Sequence, residues 1–206
     1  MLHSGLPDWL HPQRGVGRTR LFFHQDIRTA GSHNIGTTNA YRVLGPVGGT
    51  IVLVMDILKG TLGASLPMLF GLHPHWLVLL VGLAAVFGHT CSIFIGFKGG
   101  KAVATSAGIA LAYNPPFFVF CCIVFISLVL LSSMVSVAST LGMFLITIAT
   151  LFMHDWILTA VAALIWILIM VRHRANFARI KNGTENMVPF GLGQYLRKRK
   201  AKHKSK

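Results

Sequence analysis

Apolar residues fall in long runs along this chain, and the polar residues between them gather in short clusters. The first run covers 47–70, "VGGTIVLVMDILKGTLGASLPMLF"; after the break "GLHPHW" a second covers 76–95. At a rise of about 1.5 Å per residue, each is long enough to cross a hydrocarbon core of ~30 Å. Farther on, "NPP" at Asn114–Pro116, "SSM" at Ser132–Met134 and "HD" at His154–Asp155 divide residues 103–172 into four segments: 103–113, 115–131, 134–153 and 156–172. The pattern predicts an all-α, polytopic transmembrane helix bundle of about six helices, one of them short. Four is the alternative count if "NPP" only kinks a longer helix.

Composition agrees. Of 206 residues 53% are hydrophobic and only 12% charged, with a mean hydropathy of +0.64, a balance typical of polytopic membrane proteins. The net charge of +14 comes from 19 Lys+Arg against 5 Asp+Glu, and the cations cluster. Arg14, Arg18, Arg20, Arg28 and Arg42 precede the first run; Lys98 and Lys101 follow the second; Arg172, Arg174, Arg179 and Lys181 follow the last. Two crossings separate the first cluster from the second, and four separate the second from the third. All three therefore share one face, the cytoplasmic one by the positive-inside rule, and "SSMVSVAS" turns near the same face.

Residues 1–25 read as a polar tail with no signal-peptide core, 26–187 as the membrane domain, and 188–206 as a basic cytoplasmic tail. Because the cations flank spans, their partner is the membrane surface rather than nucleic acid. Cys91, Cys121 and Cys122 imply no disulfide framework, and the His and Cys spacings imply no metal site.

Chemistry concentrates in the polar clusters. "GFKGGKAVATSAG", Gly96–Gly108, is not a P-loop. Consecutive glycines such as Gly99 and Gly100 can nevertheless turn backbone N–H groups toward an anion, with Lys101 supplying charge. A plain interfacial turn with snorkelling lysines is the other reading. "GSHNIGTTNAYR", Gly31–Arg42, collects Ser32, Asn34, Thr38, Asn39 and Arg42 before a helix, as site groups or as caps and an anchor. In "VRHRANFARIKNGTE", His173 and Asn176 share a face if the helix continues. Asp56 and Lys59 lie three apart inside the first span, as a functional pair or as a structural ion pair.

These three stretches together resemble the PlsY family of bacterial membrane glycerol-3-phosphate acyltransferases. The family's GSGNxGxTNxxR, GFKGGKGVAT and HRxN…GxE stretches correspond to Gly31–Arg42, Gly96–Thr105 and His173–Asn176 with Gly183 and Glu185. "DILKG" (Asp56–Gly60) and "VSVAS" (Val135–Ser139) fall where similar family segments lie. The resemblance implies acyl transfer from acyl-phosphate to the sn-1 hydroxyl of glycerol 3-phosphate, giving lysophosphatidic acid and phosphate without a cofactor. The enzyme would be a multi-pass, monomeric protein of the bacterial cytoplasmic (inner) membrane, with its site facing the cytoplasm.

Mapped by motif, Ser32, His173 and Asn176 would be catalytic. Arg42, Lys101, Ser139, Gly99, Gly100, Asn34, Thr38 and Asn39 would bind substrate, with Asp56, Lys59 and Glu185 structural. The proton of the attacking hydroxyl would go to the leaving phosphate or to His173. The sequence departs from the family in three ways: it shows no apolar helix before the first motif, His33 and Ala102 replace glycines, and Ser92 replaces Pro. Ala102 would hinder a loop of positive φ. An inactive truncated relative and a small-anion transporter are the alternatives. A His-x4-Asp acyl-CoA enzyme would have to use His3 and Asp8, in the polar tail.

Overall fold

The computed structural model describes residues 26–93, 96–97 and 99–204. The tail 1–25 and Lys98, both used in the sequence reading, lie outside the described residues. Within them the chain forms eight helices: α1 Thr37–Leu69, α2 Trp76–Thr90, α3 Val103–Tyr113, α4 Pro115–Ser132, α5 Val135–Leu151, α6 Trp156–Arg172, α7 Arg174–Lys181 and α8 Leu192–Lys204. The first six are the apolar helices expected, and α3, at 11 residues, is the short one.

Local chemistry sets the breaks. Pro115 and Pro116 open α4, and the Asn114 carboxamide accepts from Phe117 N at 3.0 Å, so "NPP" ends one helix and caps the next rather than kinking a longer one. Asp155 caps α6 in the same way, accepting from Leu158 N at 2.9 Å. Ser133 ends α4 in the left-handed region, φ 56°. Helix α1 begins ten residues before the apolar run that predicted it and bends at Gly45, φ 74°. Its first turns are therefore a separate piece carrying Arg42.

Two differences from expectation concern length and continuity. Helix α2 stops at Thr90 and not near 95, because the chain folds back there: Gly99 N donates to Thr90 O (3.1 Å) and Gly100 N to His89 O (3.3 Å). The helix thus has 15 residues, fewer than the ~20 of a full span. Among the described residues α1 and α4 are individually long and apolar enough to cross a membrane, and α6 with α7 would form a third span bent by 56°. That bend falls at His173 (φ −99°, ψ 5°), so His173 and Asn176 do not ride one continuous helix.

Packing centres on α1, α2 and α3. Gly60 of α1 lies so close to α3 that a Cβ would come 2.0 Å from Thr105 O, and one on Gly108 would come 2.1 Å from Ile57 O. Thr61 Oγ1 donates to Gly108 O across the same crossing at 3.1 Å. Small residues that let backbones meet are the usual glue between helices in lipid, where apolar side chains gain little by leaving the tails. Helix α6 closes the bundle against α2 through Val78, Leu79, Val86, Ile165 and Ile169, all buried. Along α4 the large side chains Val119, Ile123, Ile126 and Leu130 stay exposed, as a lipid-facing surface requires.

The helices run alternately up and down. Tyr113 at the end of α3 donates to Asp155 before α6 and stacks on His75 before α2, with ring centroids 4.2 Å apart; these three mark one end of the bundle. The glycine loop, the Ser133 turn and the α6–α7 bend lie at the other.

Candidate active site

Lys101 is the centre of that second end. It lies in the extended link between the glycine loop and α3, half-buried, and donates from Nζ to Asn176 Oδ1. The Asn176 amide in turn donates to Glu185 Oε1 at 2.7 Å, and Arg179 Nε donates to Glu185 Oε2 at 2.8 Å. A chain of four polar side chains thus joins the second motif to the third. Arg172 reaches back across the same gap to donate to Gly99 O.

The electrostatics follow from this crowding. Burial, then the neighbouring cations Arg179, Arg172 and Arg42, push the Lys101 ammonium down to about 8, with Glu185 opposing. Burial alone would raise Glu185, but the hydrogen bonds from Asn176 and Arg179 hold it below the usual carboxylate range. The site is therefore a cation-rich mouth with one fixed carboxylate, an arrangement suited to a ligand bearing phosphate.

His173, at the α6–α7 bend, is buried, and its Nδ1 lies 2.9 Å from Ile169 O. A carbonyl can only accept, so Nδ1 carries the proton and Nε2 is the nitrogen left with a lone pair when the ring is neutral. Ser139 is also buried, one turn into α5, its hydroxyl donating to Val135 O at 2.7 Å. Asp56 and Lys59 form an ion pair at 3.3 Å, but Lys59 is exposed rather than buried.

Several expected substrate-binding groups spend their hydrogen bonds elsewhere. Asn39 is buried; its amide donates to Ile27 O, Ala30 O and Asn34 O, and its Oδ1 accepts from Ser32 N at 2.8 Å. The Asn34 carboxamide accepts from Gly36 N at 2.9 Å. Both asparagines hold the first-motif loop together. Ser32 is half-buried in that loop, and Thr38 is exposed. Among the described residues no hydrogen bond joins Ser32 to the Lys101–Asn176 pair. Arg42, exposed, comes near enough for its charge to act on Lys101.

The glycine loop requires a correction. The N–H groups of Gly99 and Gly100 do not face outward for an anion; they donate to the carbonyls ending α2. Close packing explains the glycines instead: a Cβ on Gly99 would lie 2.0 Å from His89 O, and one on Gly100 would lie 2.1 Å from His89 Nε2. This contact exposes a residue the sequence reading passed over. His89 is buried, and its Nδ1 lies 3.6 Å from Asp56 Oδ1, while Thr37 Oγ1 lies 3.4 Å from Asp56 Oδ2. Asp56 and His89 therefore link the start of α1 to the glycine loop. Polarity inside an apolar run was the signal available for His89, as it was for Asp56.

Ala102 takes φ 65° and His33 φ 57°, so both substitutions for glycine fall in the left-handed region, as expected for Ala102. Beside the site, α5, α6 and α7 line an open groove of about 320 Å³ formed by Thr140, Leu141, Phe144, Trp166, Met170 and Phe177. Thr140 follows Ser139, and Met170 and Phe177 flank His173 by one turn on either side.

Among the described residues, an all-helical bundle with lipid-facing helices and a cationic mouth defines an integral membrane protein whose site suits a phosphate-bearing ligand. The family pattern of glycerol-3-phosphate acyltransferase matches residues 13–183, and the chain belongs to that family. The match begins inside the polar tail 1–25.

The chain is 70% identical over 188 residues to the glycerol-3-phosphate acyltransferase of Lacticaseibacillus casei (strain BL23), covering 91% of both chains. It is 64% identical over 178 residues to that of Latilactobacillus sakei subsp. sakei (strain 23K), covering 86% of each. Its fold is similar to the crystal structure of PlsY (YgiH), an integral membrane glycerol 3-phosphate acyltransferase, in the glycerol 3-phosphate form. That comparison gives a TM-score of 0.74 at 32% identity, over 86% of this chain and 90% of that one.

Proposed function

We propose that the acyl donor is acyl-phosphate and that the acceptor is the sn-1 hydroxyl of glycerol 3-phosphate. The hydroxyl oxygen attacks the acyl carbonyl carbon, the bond from that carbon to the phosphate oxygen breaks, and inorganic phosphate leaves with lysophosphatidic acid as the other product. An acyl-phosphate is already activated, so no covalent enzyme intermediate is needed. The hydroxyl proton passes to the leaving phosphate, while His173 Nε2 orients the hydroxyl. His173 as the base is the competing route.

The observation that carries this reading is the chain Lys101–Asn176–Glu185–Arg179, with Arg172 on Gly99 O and the charge of Arg42 acting on Lys101, beside an apolar groove. Two substrates each bring a phosphate to such a mouth, and only one brings an acyl chain to the groove. The similar PlsY structures in glycerol 3-phosphate and lysophosphatidic acid forms support the same acceptor and product. Ser32, Ser139 and Asn176 position the acceptor; Arg42 and Lys101 hold phosphate. The enzyme works as a monomer in the bacterial cytoplasmic membrane with this mouth toward the cytoplasm.

Reconstituted protein should transfer acyl groups from palmitoyl-phosphate to labelled glycerol 3-phosphate and release phosphate one-for-one. Comparable turnover with palmitoyl-CoA alone would rule out the donor assignment.

A further inference from the structure

The family match ends at residue 183, yet the chain goes on to build α8 and fits it closely to the end of α4. Val188 N donates to Ser133 O at 2.8 Å, and Gln194 N donates to Ser133 Oγ at 2.9 Å. Gly193 lies so near the Ser133 turn that a Cβ would come 2.3 Å from Ser132 O. The start of α8 is thus docked, and on a turn whose position is known: it ends the lipid-facing α4 and lies at the same end of the bundle as Lys101.

Beyond that anchor, α8 changes character. Arg197, Lys198, Arg199, Lys200 and Lys202 are all exposed, as are Phe190, Leu192, Tyr195 and Leu196, and no Asp or Glu follows Glu185. A cationic helix with apolar and aromatic side chains at its root, held at the level where a lipid-facing helix ends, matches the headgroup zone of a bilayer in both charge and polarity.

We propose that α8 is a docking surface for anionic phospholipid headgroups, lying on the bilayer surface beside the active-site mouth. The docked segment also runs from Glu185, through Val188 on Ser133, to Gln194, and Ser133 directly precedes the helix carrying Ser136 and Ser139. Headgroup contact therefore braces a segment that joins Glu185 of the site network to the Ser133 turn. The binding claim stands on the geometry of α8 and does not depend on the identity of the acyl donor.

The test uses the full chain with Cys91, Cys121 and Cys122 replaced by Ala, and Ala201→Cys carrying an environment-sensitive fluorophore. The protein is reconstituted in vesicles of neutral phosphatidylcholine or of phosphatidylcholine with phosphatidylglycerol. Anionic vesicles should blue-shift the probe and reduce its quenching by neutral acrylamide, and high salt should reverse both effects, because screening shortens the reach of surface charge. Replacing Arg197, Lys198, Arg199, Lys200 and Lys202 by Gln should remove the difference between lipids while leaving Leu192–Gln194 to dock. Equal signals of the unaltered helix in both lipids would overturn the proposal. So would shielding in neutral vesicles that appears only on adding an acidic polypeptide or RNA.

Discussion

Lys101 carries two opposed demands, since it must be charged to hold phosphate yet sits half-buried among arginines. With its ammonium pushed down to about 8, it is protonated below that pH and neutral above it. KM for glycerol 3-phosphate should therefore rise as pH is raised through about 8. Lys101→Arg, whose guanidinium stays charged throughout, should move that limb out of the measurable range even if it lowers turnover. A KM that is flat from pH 7 to 9 in the native protein would contradict this role.

A second residue-scale expectation concerns Ala102, held at φ 65°. A left-handed conformation costs a residue with a Cβ roughly 1–2 kcal/mol relative to glycine. Ala102→Gly should therefore raise the thermal unfolding midpoint in detergent, and an unchanged or lower midpoint would show that the loop is fixed by other forces. The substitution was readable from the motif, because the glycine it replaces carries a conformation as well as a place. His89 was not readable in that way. Its use depends on Asp56 from one helix and Gly100 from a loop meeting it in space, and no local pattern records such a meeting.

Among the elements, the helices were legible wherever Pro, Asn or Asp marks an end, as at Asn114 and Asp155. They were misjudged where tertiary contacts decide. Helix α2 ends early because the glycine loop needs its last carbonyls, whereas the end of α6 at Arg172 fell where the apolar run stops. The same contact between loop and α2 explains why Gly99 and Gly100 read as anion ligands in the sequence. Consecutive glycines advertise freedom, and only the fold shows that the freedom is used for packing.

The α1–α3 crossing gives a direct test at this scale. Gly60→Ala would place a Cβ 2.0 Å from Thr105 O, and overpacking of this kind costs about 1–3 kcal/mol. It should lower the unfolding midpoint and the activity together, whereas Gly88→Ala, with no atom within 4 Å of its added Cβ, should change neither. Equal behaviour of the two variants would mean that this crossing is not a fixed contact.

For the whole molecule, the parity of apolar runs and basic clusters places three motifs at one end, and the structure brings the Lys101 link and the His173–Glu185 segment into one hydrogen-bonded group there. Sequence order alone could not say how these motifs touch, because the chain of contacts runs through Asn176 and Glu185 and through arginines that read as topology anchors. The most direct test of one cationic mouth serving both phosphates is steady-state kinetics of Lys101→Ala in a bilayer, with palmitoyl-phosphate and glycerol 3-phosphate varied in turn. Losing a charge-assisted hydrogen bond removes about 1.5–3 kcal/mol, or roughly 10- to 150-fold. The account predicts a fall in kcat/KM of at least that size for glycerol 3-phosphate, in protein that still unfolds cooperatively; a folded Lys101→Ala variant with unchanged kcat/KM for both substrates would contradict it.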